Sequence, residues 1–214
     1  MNARTRVKFC GITRAEDAQA AVSLGVDAIG LVFVPASKRY VDRGQAREVL
    51  AAVPPLVAVI GLFMDAAADD VASVLDALPL DALQFHGREG AEFCRQFKRP
   101  YVKALAMGDG VDVVNAASGY ADARGILLDA HRSGEQGGSG ASFDWTRIPS
   151  SLSHRIILAG GLSAENVAAA IRQVKPYAVD VSSGIESAPG IKCPRRMQLF
   201  MNEVDRASAE PGRG

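Results

Sequence analysis

The stretch that decides the fold is LAGGLS at residues 158–163, together with DVSSGIE at residues 180–186. Each stretch follows a short aliphatic run and precedes a segment with a helical pattern. Glycines at a strand-to-helix turn let backbone N–H groups approach an anion, and the helix N-terminus adds a positive dipole. Two such turns on consecutive βα units are typical of the phosphate site of a (β/α)8 barrel, after strands seven and eight. The two stretches therefore predict a barrel that binds a small phosphorylated molecule.

Aliphatic runs alternate with helical patterns along the chain, as expected for βαβ units around a parallel sheet. The runs predict eight strands, at residues 7–10, 28–33, 57–63, 81–86, 101–105, 125–129, 155–159 and 178–182. The helical patterns lie at residues 14–23, 43–52, 67–77, 91–97, 111–117, 164–174 and 194–206. Thr13 and Ser163 occupy expected N-cap positions, and Glu16 would complete a capping box with Thr13.

An open doubly wound sheet would show the same alternation, so the placement of polar residues decides between the two architectures. Side chains two residues apart share one face of a strand, and the last inward positions of four strands are Cys10, His86, Asp129 and Ser182. Active sites of barrels gather at these strand ends. We therefore predict an α/β protein with one (β/α)8 TIM-barrel domain over residues 1–206 and a flexible tail over 207–214.

The composition makes several classes of protein less probable for this chain. The 214 residues carry 24 basic and 24 acidic side chains, which argues against nucleic-acid or membrane-surface binding. The longest apolar stretch, residues 56–64, is less than half of a membrane span of about 20 residues, and no apolar signal region precedes the first strand. Three cysteines fit free thiols in a reducing cytosol. We expect a cytoplasmic monomer or homodimer whose partner is a small phosphorylated molecule.

Seven motifs along the chain carry a family resemblance. They are VKFCGIT at 7–13, PASKRY at 35–40, LQFHG at 83–87, LLD at 127–129, GGSG at 137–140 with FDW at 143–145, LAGGL at 158–162 and AVDVSSGIE at 178–186. Each is common alone, but seven in this order are specific. Together they resemble the phosphoribosylanthranilate isomerase family from residue 7 to about residue 190.

The resemblance implies an Amadori rearrangement in tryptophan biosynthesis. N-(5-phosphoribosyl)anthranilate would become 1-(2-carboxyphenylamino)-1-deoxyribulose 5-phosphate. An acid must protonate the ring oxygen to open the furanose to a Schiff base, and a base must remove the C2 proton to give an enolamine. By this similarity Asp129 is the general acid and Cys10 the general base. No cofactor is implied, because the imine nitrogen serves as the electron sink.

Residue chemistry supports these two roles in part and leaves alternatives open. A carboxyl group at a barrel mouth can donate a proton at neutral pH if desolvation raises its pKa, whereas an isolated Asp129 could equally be an N-cap or an ion-pair partner. A thiol needs a nearby cation or helix dipole to form thiolate, and the alternative for Cys10 is a buried core thiol.

Other residues are expected to bind the substrate. The fork of Arg39 suits the anthranilate carboxylate, as the resemblance also indicates, and the alternative is a solvated loop charge. His86 is expected to line the site, with a structural role as the equal alternative. The phosphate contacts are expected from Gly160, Gly161, Ser182 and Ser183. The glycine loop at 137–140, with Gly138, is expected to cover the ligand. No metal site is predicted, because His86, His131 and His154 lack ligand spacing.

Lys8 and Asp180 both point into the predicted barrel, on strands that would be neighbours. We predict an ion pair or a water-bridged contact between them at the mouth, since an unpaired buried lysine is costly. The alternatives are that another carboxylate pairs with Lys8, or that Lys8 holds Cys10 as thiolate.

Fold alone does not identify the reaction. The alternatives are another phosphate-binding barrel enzyme, such as an indole-glycerol-phosphate synthase or a histidine-pathway aminoaldose isomerase, and a non-catalytic phosphate-binding barrel. A synthase would require a catalytic lysine and glutamates at strand ends, and a histidine-pathway isomerase an aspartate in place of Cys10. The combination of Cys10, Asp129 and Arg39 favours the anthranilate-type isomerase.

Overall fold

The computed structural model describes residues 4–108, 111–130, 144–149, 152 and 155–209. Eight parallel strands pair in chain order, and the eighth pairs with the first to close a barrel. The strands are β1 Arg6–Cys10, β2 Ala28–Val32, β3 Ala58–Phe63, β4 Ala82–Phe85, β5 Tyr101–Ala106, β6 Gly125–Asp129, β7 Ile156–Leu158 and β8 Ala178–Val181. The closed barrel confirms the predicted fold class and excludes the open sheet.

Seven α-helices cover the barrel within the described residues. They are α1 Ala15–Ser23, α2 Arg43–Ala51, α3 Ala68–Ala77, α4 Ala91–Arg95, α5 Val113–Ser118, α6 Val167–Val174 and α7 Pro194–Ala209. A short antiparallel hairpin of β9 (Glu186–Ala188) and β10 (Ile191–Lys192) precedes α7. Among the described residues, no helix combines the length and hydrophobicity needed to cross a membrane.

The faces of the strands agree with the predicted alternation. Phe9 of β1 packs edge-on against Phe200 of α7, with ring centroids 6.0 Å apart, so this face meets the helices. The opposite faces of β5 and β6 meet inside the barrel in a separate apolar cluster of Val102, Ala104, Leu127 and Ala159. The register therefore directs Lys8, Cys10 and Asp129 inward, as predicted.

The predicted capping box at the start of α1 is wrong. The N-cap residue is Arg14, and it makes no side-chain cap hydrogen bond. The Thr13 hydroxyl instead donates to the Gly190 carbonyl at 2.6 Å, in the turn of the β9–β10 hairpin. The Thr13 hydroxyl thus binds a residue 177 positions away in the sequence instead of capping helix α1.

The predicted cap at Ser163 is also wrong as a helix cap. Helix α6 begins three residues later than expected and has Asn166 at its N-cap. The Ser163 hydroxyl accepts from the Glu165 N–H at 3.3 Å in the preceding turn. Helix α7 extends to Ala209, so the first three residues of the expected tail are helical, and residues 210–214 lie outside the described part.

Candidate active site

Cys10 and Asp129 are the last residues of β1 and β6. All strands of the barrel are parallel, so both residues lie at the same rim, on strands separated by β8 and β7. Cys10 is 6% exposed and Asp129 9% exposed. A thiol and a carboxyl group thus face one mouth from two sides of the barrel, as the predicted chemistry requires.

His86 and Gln84 form a hydrogen-bonded chain to Asp129. The His86 Nε2 atom lies 3.3 Å from Asp129 Oδ2, and its Nδ1 atom lies 3.1 Å from the Gln84 amide nitrogen. An amide nitrogen can only donate, so Nδ1 accepts and Nε2 carries the proton of a neutral ring. In this tautomer His86 donates to the carboxylate of Asp129 and fixes its orientation.

Lys8 and Asp180 form the predicted ion pair, with 2.8 Å between Nζ and Oδ1. Burial favours the neutral amine of Lys8, but Asp180 and Cys10 together outweigh burial and raise the pKa of Lys8. Gly30 of β2 makes room for this group. A Cβ atom there would lie 2.9 Å from Cys10 Sγ and 3.0 Å from Lys8 Nζ.

The surroundings of the Cys10 thiol have opposing effects on its pKa. Burial raises the pKa of Cys10 above its ordinary value, and the negative charge of Asp180 raises it further. Lys8 and Lys192 oppose this, because each cation stabilises the thiolate. Burial has the larger effect, so the thiol form predominates at neutral pH.

Arg39 lies in the loop after β2 and binds the Glu186 carboxylate bidentately through one edge of its guanidinium group. Its Nε atom donates to Oε1 at 2.8 Å and its second guanidinium nitrogen donates to Oε2 at 2.7 Å. Its side chain is 13% exposed, which excludes the interpretation as a solvated loop charge. Gly11, with φ of 71°, leaves space for the arginine, since a Cβ atom there would lie 2.5 Å from Arg39 Cδ.

Glu186 also contacts Lys192, with 2.7 Å between Oε1 and Nζ. Burial favours the neutral acid, but Arg39 and Lys192 together lower the pKa of Glu186. Glu186 lies in the motif at 178–186 but no role was predicted for it, and Lys192 was not among the predicted site residues. The dipeptide Pro189-Gly190, a common turn signal, could have indicated the hairpin that carries Lys192.

The two predicted phosphate turns lie against each other. Gly160 and Gly161 have φ angles of 81° and 64°, a conformation that favours glycine. A Cβ atom on Gly184 would lie 2.0 Å from the Leu162 carbonyl oxygen. Ser182 and Ser183 therefore stand beside the glycine turn after β7, where their backbone can bind the same anion.

Some predicted residues lie outside the described part of the chain. These are Gly138 with the loop 137–140, and the histidines His131 and His154. Within the described residues, no group of three or more His, Cys, Asp or Glu side chains is arranged to hold a metal ion.

Comparisons with known proteins cover nearly the whole barrel. A family model described as N-(5'phosphoribosyl)anthranilate (PRA) isomerase matches residues 7–203. The N-(5'-phosphoribosyl)anthranilate isomerase of Nitrosococcus oceani is 52% identical over 202 residues, which are 94% of this chain and 98% of the relative.

Two solved structures resemble this chain over 94% of its length. The phosphoribosyl anthranilate isomerase of Thermotoga maritima gives a TM-score of 0.85 at 37% identity, with 94% of this chain and 99% of that chain covered. A phosphoribosyl anthranilate isomerase in complex with reduced 1-(o-carboxyphenylamino)-1-deoxyribulose 5-phosphate gives 0.80 at 36% identity, with the same two coverages of 94% and 99%.

Proposed function

The chain belongs to the N-(5'-phosphoribosyl)anthranilate isomerase family, and on this premise we propose that Asp129 and Cys10 carry the proton transfers of its reaction. The enzyme converts N-(5-phosphoribosyl)anthranilate to 1-(2-carboxyphenylamino)-1-deoxyribulose 5-phosphate in tryptophan biosynthesis. The observation that supports the assignment is the position of the two groups at the ends of β1 and β6, at one rim of the closed barrel.

Ring opening requires an acid at the furanose oxygen, and Asp129 supplies it in this proposal. The carboxyl group donates its proton to the ring oxygen while the bond between that oxygen and C1 breaks, which leaves a Schiff base at C1. His86, with its Nε2 atom 3.3 Å from Asp129, keeps the carboxyl group directed towards the mouth.

The second proton transfer requires a base at C2, and Cys10 supplies it. The thiolate takes the C2 proton, and the bonding electrons move towards the imine nitrogen to give an enolamine. Tautomerisation then gives the ketone. Lys8 and Lys192 favour the thiolate that this step needs. The imine nitrogen is the electron sink, so the chemistry itself asks for no resident cofactor.

The substrate has a carboxylate at one end and a phosphate at the other. We assign the carboxylate to the guanidinium group of Arg39, whose orientation is held by Glu186. We assign the phosphate to the backbone of Gly160, Gly161, Ser182 and Ser183. Asp180, paired with Lys8 inside the barrel, lies below the sugar in this arrangement.

The setting of the enzyme is also part of the proposal. Its equal numbers of acidic and basic residues support a small-molecule partner rather than nucleic acid. Three free cysteines support a cytoplasmic location. We propose one barrel domain that includes the whole of helix α7 and works as a monomer or a homodimer, which light scattering after size-exclusion chromatography would distinguish.

A direct assay tests the proposal. The protein is mixed with freshly made phosphoribosylanthranilate, and the loss of anthranilate-type fluorescence is followed. We expect turnover by the intact protein and almost none by Cys10→Ser prepared in parallel. Absence of turnover by the intact protein would reject the function, and parental turnover by Cys10→Ser would reject the assigned base.

A further inference from the structure

Lys192 is a fully buried lysine whose amine touches three separate parts of the candidate active site. Its side chain has no exposed surface. The Nζ atom donates to the Cys10 carbonyl at 2.6 Å, to the Ser182 carbonyl at 3.2 Å and to Glu186 Oε1 at 2.7 Å. Cys10 ends strand β1, Ser182 lies in the predicted phosphate turn after β8, and Glu186 holds Arg39.

Two contacts of the β9–β10 hairpin fix the backbone position of Lys192. The Lys192 backbone N–H donates to Asp17 Oδ2 at 3.1 Å, so helix α1 holds the residue in place. The Thr13 hydroxyl holds the hairpin turn through the Gly190 carbonyl. Because backbone and side chain are both fixed, Lys192 can set the distance between its three partners.

The contacts of Glu186 extend this effect to the substrate side. One carboxylate oxygen of Glu186 accepts from both Lys192 and Arg39, and the other accepts from Arg39. Removing the lysine would leave the carboxylate free to rotate towards the arginine. The orientation of the Arg39 fork therefore depends on the ammonium group behind it.

Lys192 is also one of the charged groups around the thiol. Among the described residues, the charged side chains that act electrostatically on Cys10 include Lys8, Asp180, Arg39 and Lys192. Lys8 and Asp180 are paired with each other and act on the thiol in opposite directions. Lys192 lies on the backbone side of Cys10, where its charge favours the thiolate.

We propose that Lys192 is a positioning residue for the isomerisation, which fixes Cys10, the Ser182 turn and, through Glu186, the Arg39 fork. The inference rests on the proposed function and deepens it. A purely structural lysine would fill buried space without affecting the substrate or the thiol. The two roles differ in measurable ways.

The test compares Lys192→Met with a matched variant, Lys103→Met. Lys103 of β5 is also buried and also paired with a glutamate, with 2.9 Å between Nζ and Glu89 Oε2. Its side chain points away from the barrel interior, on the side opposite to Val102 and Ala104. The control is compared only in unfolding and in the alkylation of Cys10 by iodoacetamide, resolved by peptide mass spectrometry.

We expect Lys192→Met to raise KM and lower kcat, with a loss of kcat/KM of about 100-fold, as a small displacement of reacting groups can produce. We also expect Cys10 alkylation to need a higher pH than in the parent, because a cation beside the thiolate is lost. Lys103→Met should lose stability while its Cys10 alkylation follows the parental pH profile.

Several results would overturn the proposal. One is a folded Lys192→Met with parental kcat, KM and Cys10 alkylation. If that variant does not fold, Lys192→Gln takes its place, because the amide keeps donors without charge. Failure of both to fold beside a folded Lys103→Met would assign Lys192 to folding alone and reject the positioning role. Lack of turnover by the parent would instead reject the proposed function, and the alkylation result would still be informative.

Discussion

The ammonium group of Lys8 lies 2.8 Å from the carboxylate of Asp180, inside the barrel. The two residues are direct partners in the register between β1 and β8, the strands whose pairing closes the sheet. Their side chains are 5% and 9% exposed, so water screens them little. An ion pair thus links β1 to β8, the two strands that close the barrel, two residues before Cys10 on β1.

Breaking this pair should destabilise the fold. Lys8→Met leaves the carboxylate of Asp180 buried without its partner, and removal of one member of a buried pair typically costs roughly 3–5 kcal/mol of unfolding free energy. Urea denaturation measures the change. The double variant Lys8→Met/Asp180→Leu is the control and should lose less than the sum of its single changes. A loss of under about 1 kcal/mol for Lys8→Met would contradict a dry, buried pair.

Cys10→Ser and Asp129→Asn should each lower kcat by about 10²–10⁴-fold, because each removes one proton carrier. Both replacements nearly preserve side-chain volume, so binding of the phosphate end should be retained. Binding of inorganic phosphate to Asp129→Asn checks that the phosphate site is retained. It is measured by calorimetry or as inhibition of the residual activity. Parental turnover in either variant would remove that residue from the mechanism.

Gly30→Ala should displace the Cys10 thiol, the proposed base, and leave the predicted phosphate turns unchanged. The added methyl group would lie 2.9 Å from Cys10 Sγ, closer than real Cβ contacts, and 3.0 Å from Lys8 Nζ, which is an unusually tight contact. A displaced thiol should lower kcat/KM by about 100-fold. Gly90→Ala is the matched control, since nothing lies within 4 Å of a Cβ atom there. Equal activity of the two variants would show that the thiol tolerates displacement.

Gly184→Ala should separate the two phosphate turns. A methyl group at this position would lie 2.0 Å from the Leu162 carbonyl oxygen, so one of the two backbones must move. We expect weaker binding of inorganic phosphate and a higher KM, with kcat affected less. Titration calorimetry with inorganic phosphate measures the first effect. Unchanged phosphate affinity would move the anion site away from these turns.

The reactivity of Cys10 should increase with pH through the alkaline range. Burial raises the pKa of Cys10, so the thiolate is the minor form at neutral pH and its fraction grows as pH rises towards that pKa. The rate of Cys10 alkylation should therefore rise between pH 7 and pH 9, and kcat/KM should follow while the substrate is stable. A flat alkylation rate over this interval would mean that the thiol is already ionised, against the dominant effect of burial.

Much of the site followed from the sequence because it depends on strand periodicity. Cys10 and Asp129 end their strands on inward positions, and a period of two fixes both sides of each strand once one apolar face is known. The Lys8–Asp180 pair followed by the same logic, since a closed barrel makes its first and last strands neighbours. The glycines of the phosphate turns were equally visible, because few other residues adopt their backbone angles.

The errors and omissions have one cause. Thr13 looked like a helix cap because Glu16 follows at the spacing of a capping box, but its hydroxyl binds Gly190 far along the chain. No local pattern singled out Lys192, whose side chain contacts the Cys10 and Ser182 carbonyls and Glu186. Neither contact leaves a local pattern, because each depends on where a distant loop is folded.

The order of residues alone determined that this chain forms an eight-stranded barrel with a thiol, a carboxyl group and two glycine turns at one end. Periodicity and turn chemistry act over a few neighbouring residues, so they can be read without coordinates. Only the tertiary structure decided that Glu186 holds Arg39 and that Lys192 joins the thiol strand to the phosphate turn. Buried charges take whichever partners the fold brings near, because an unpaired charge away from water is too costly.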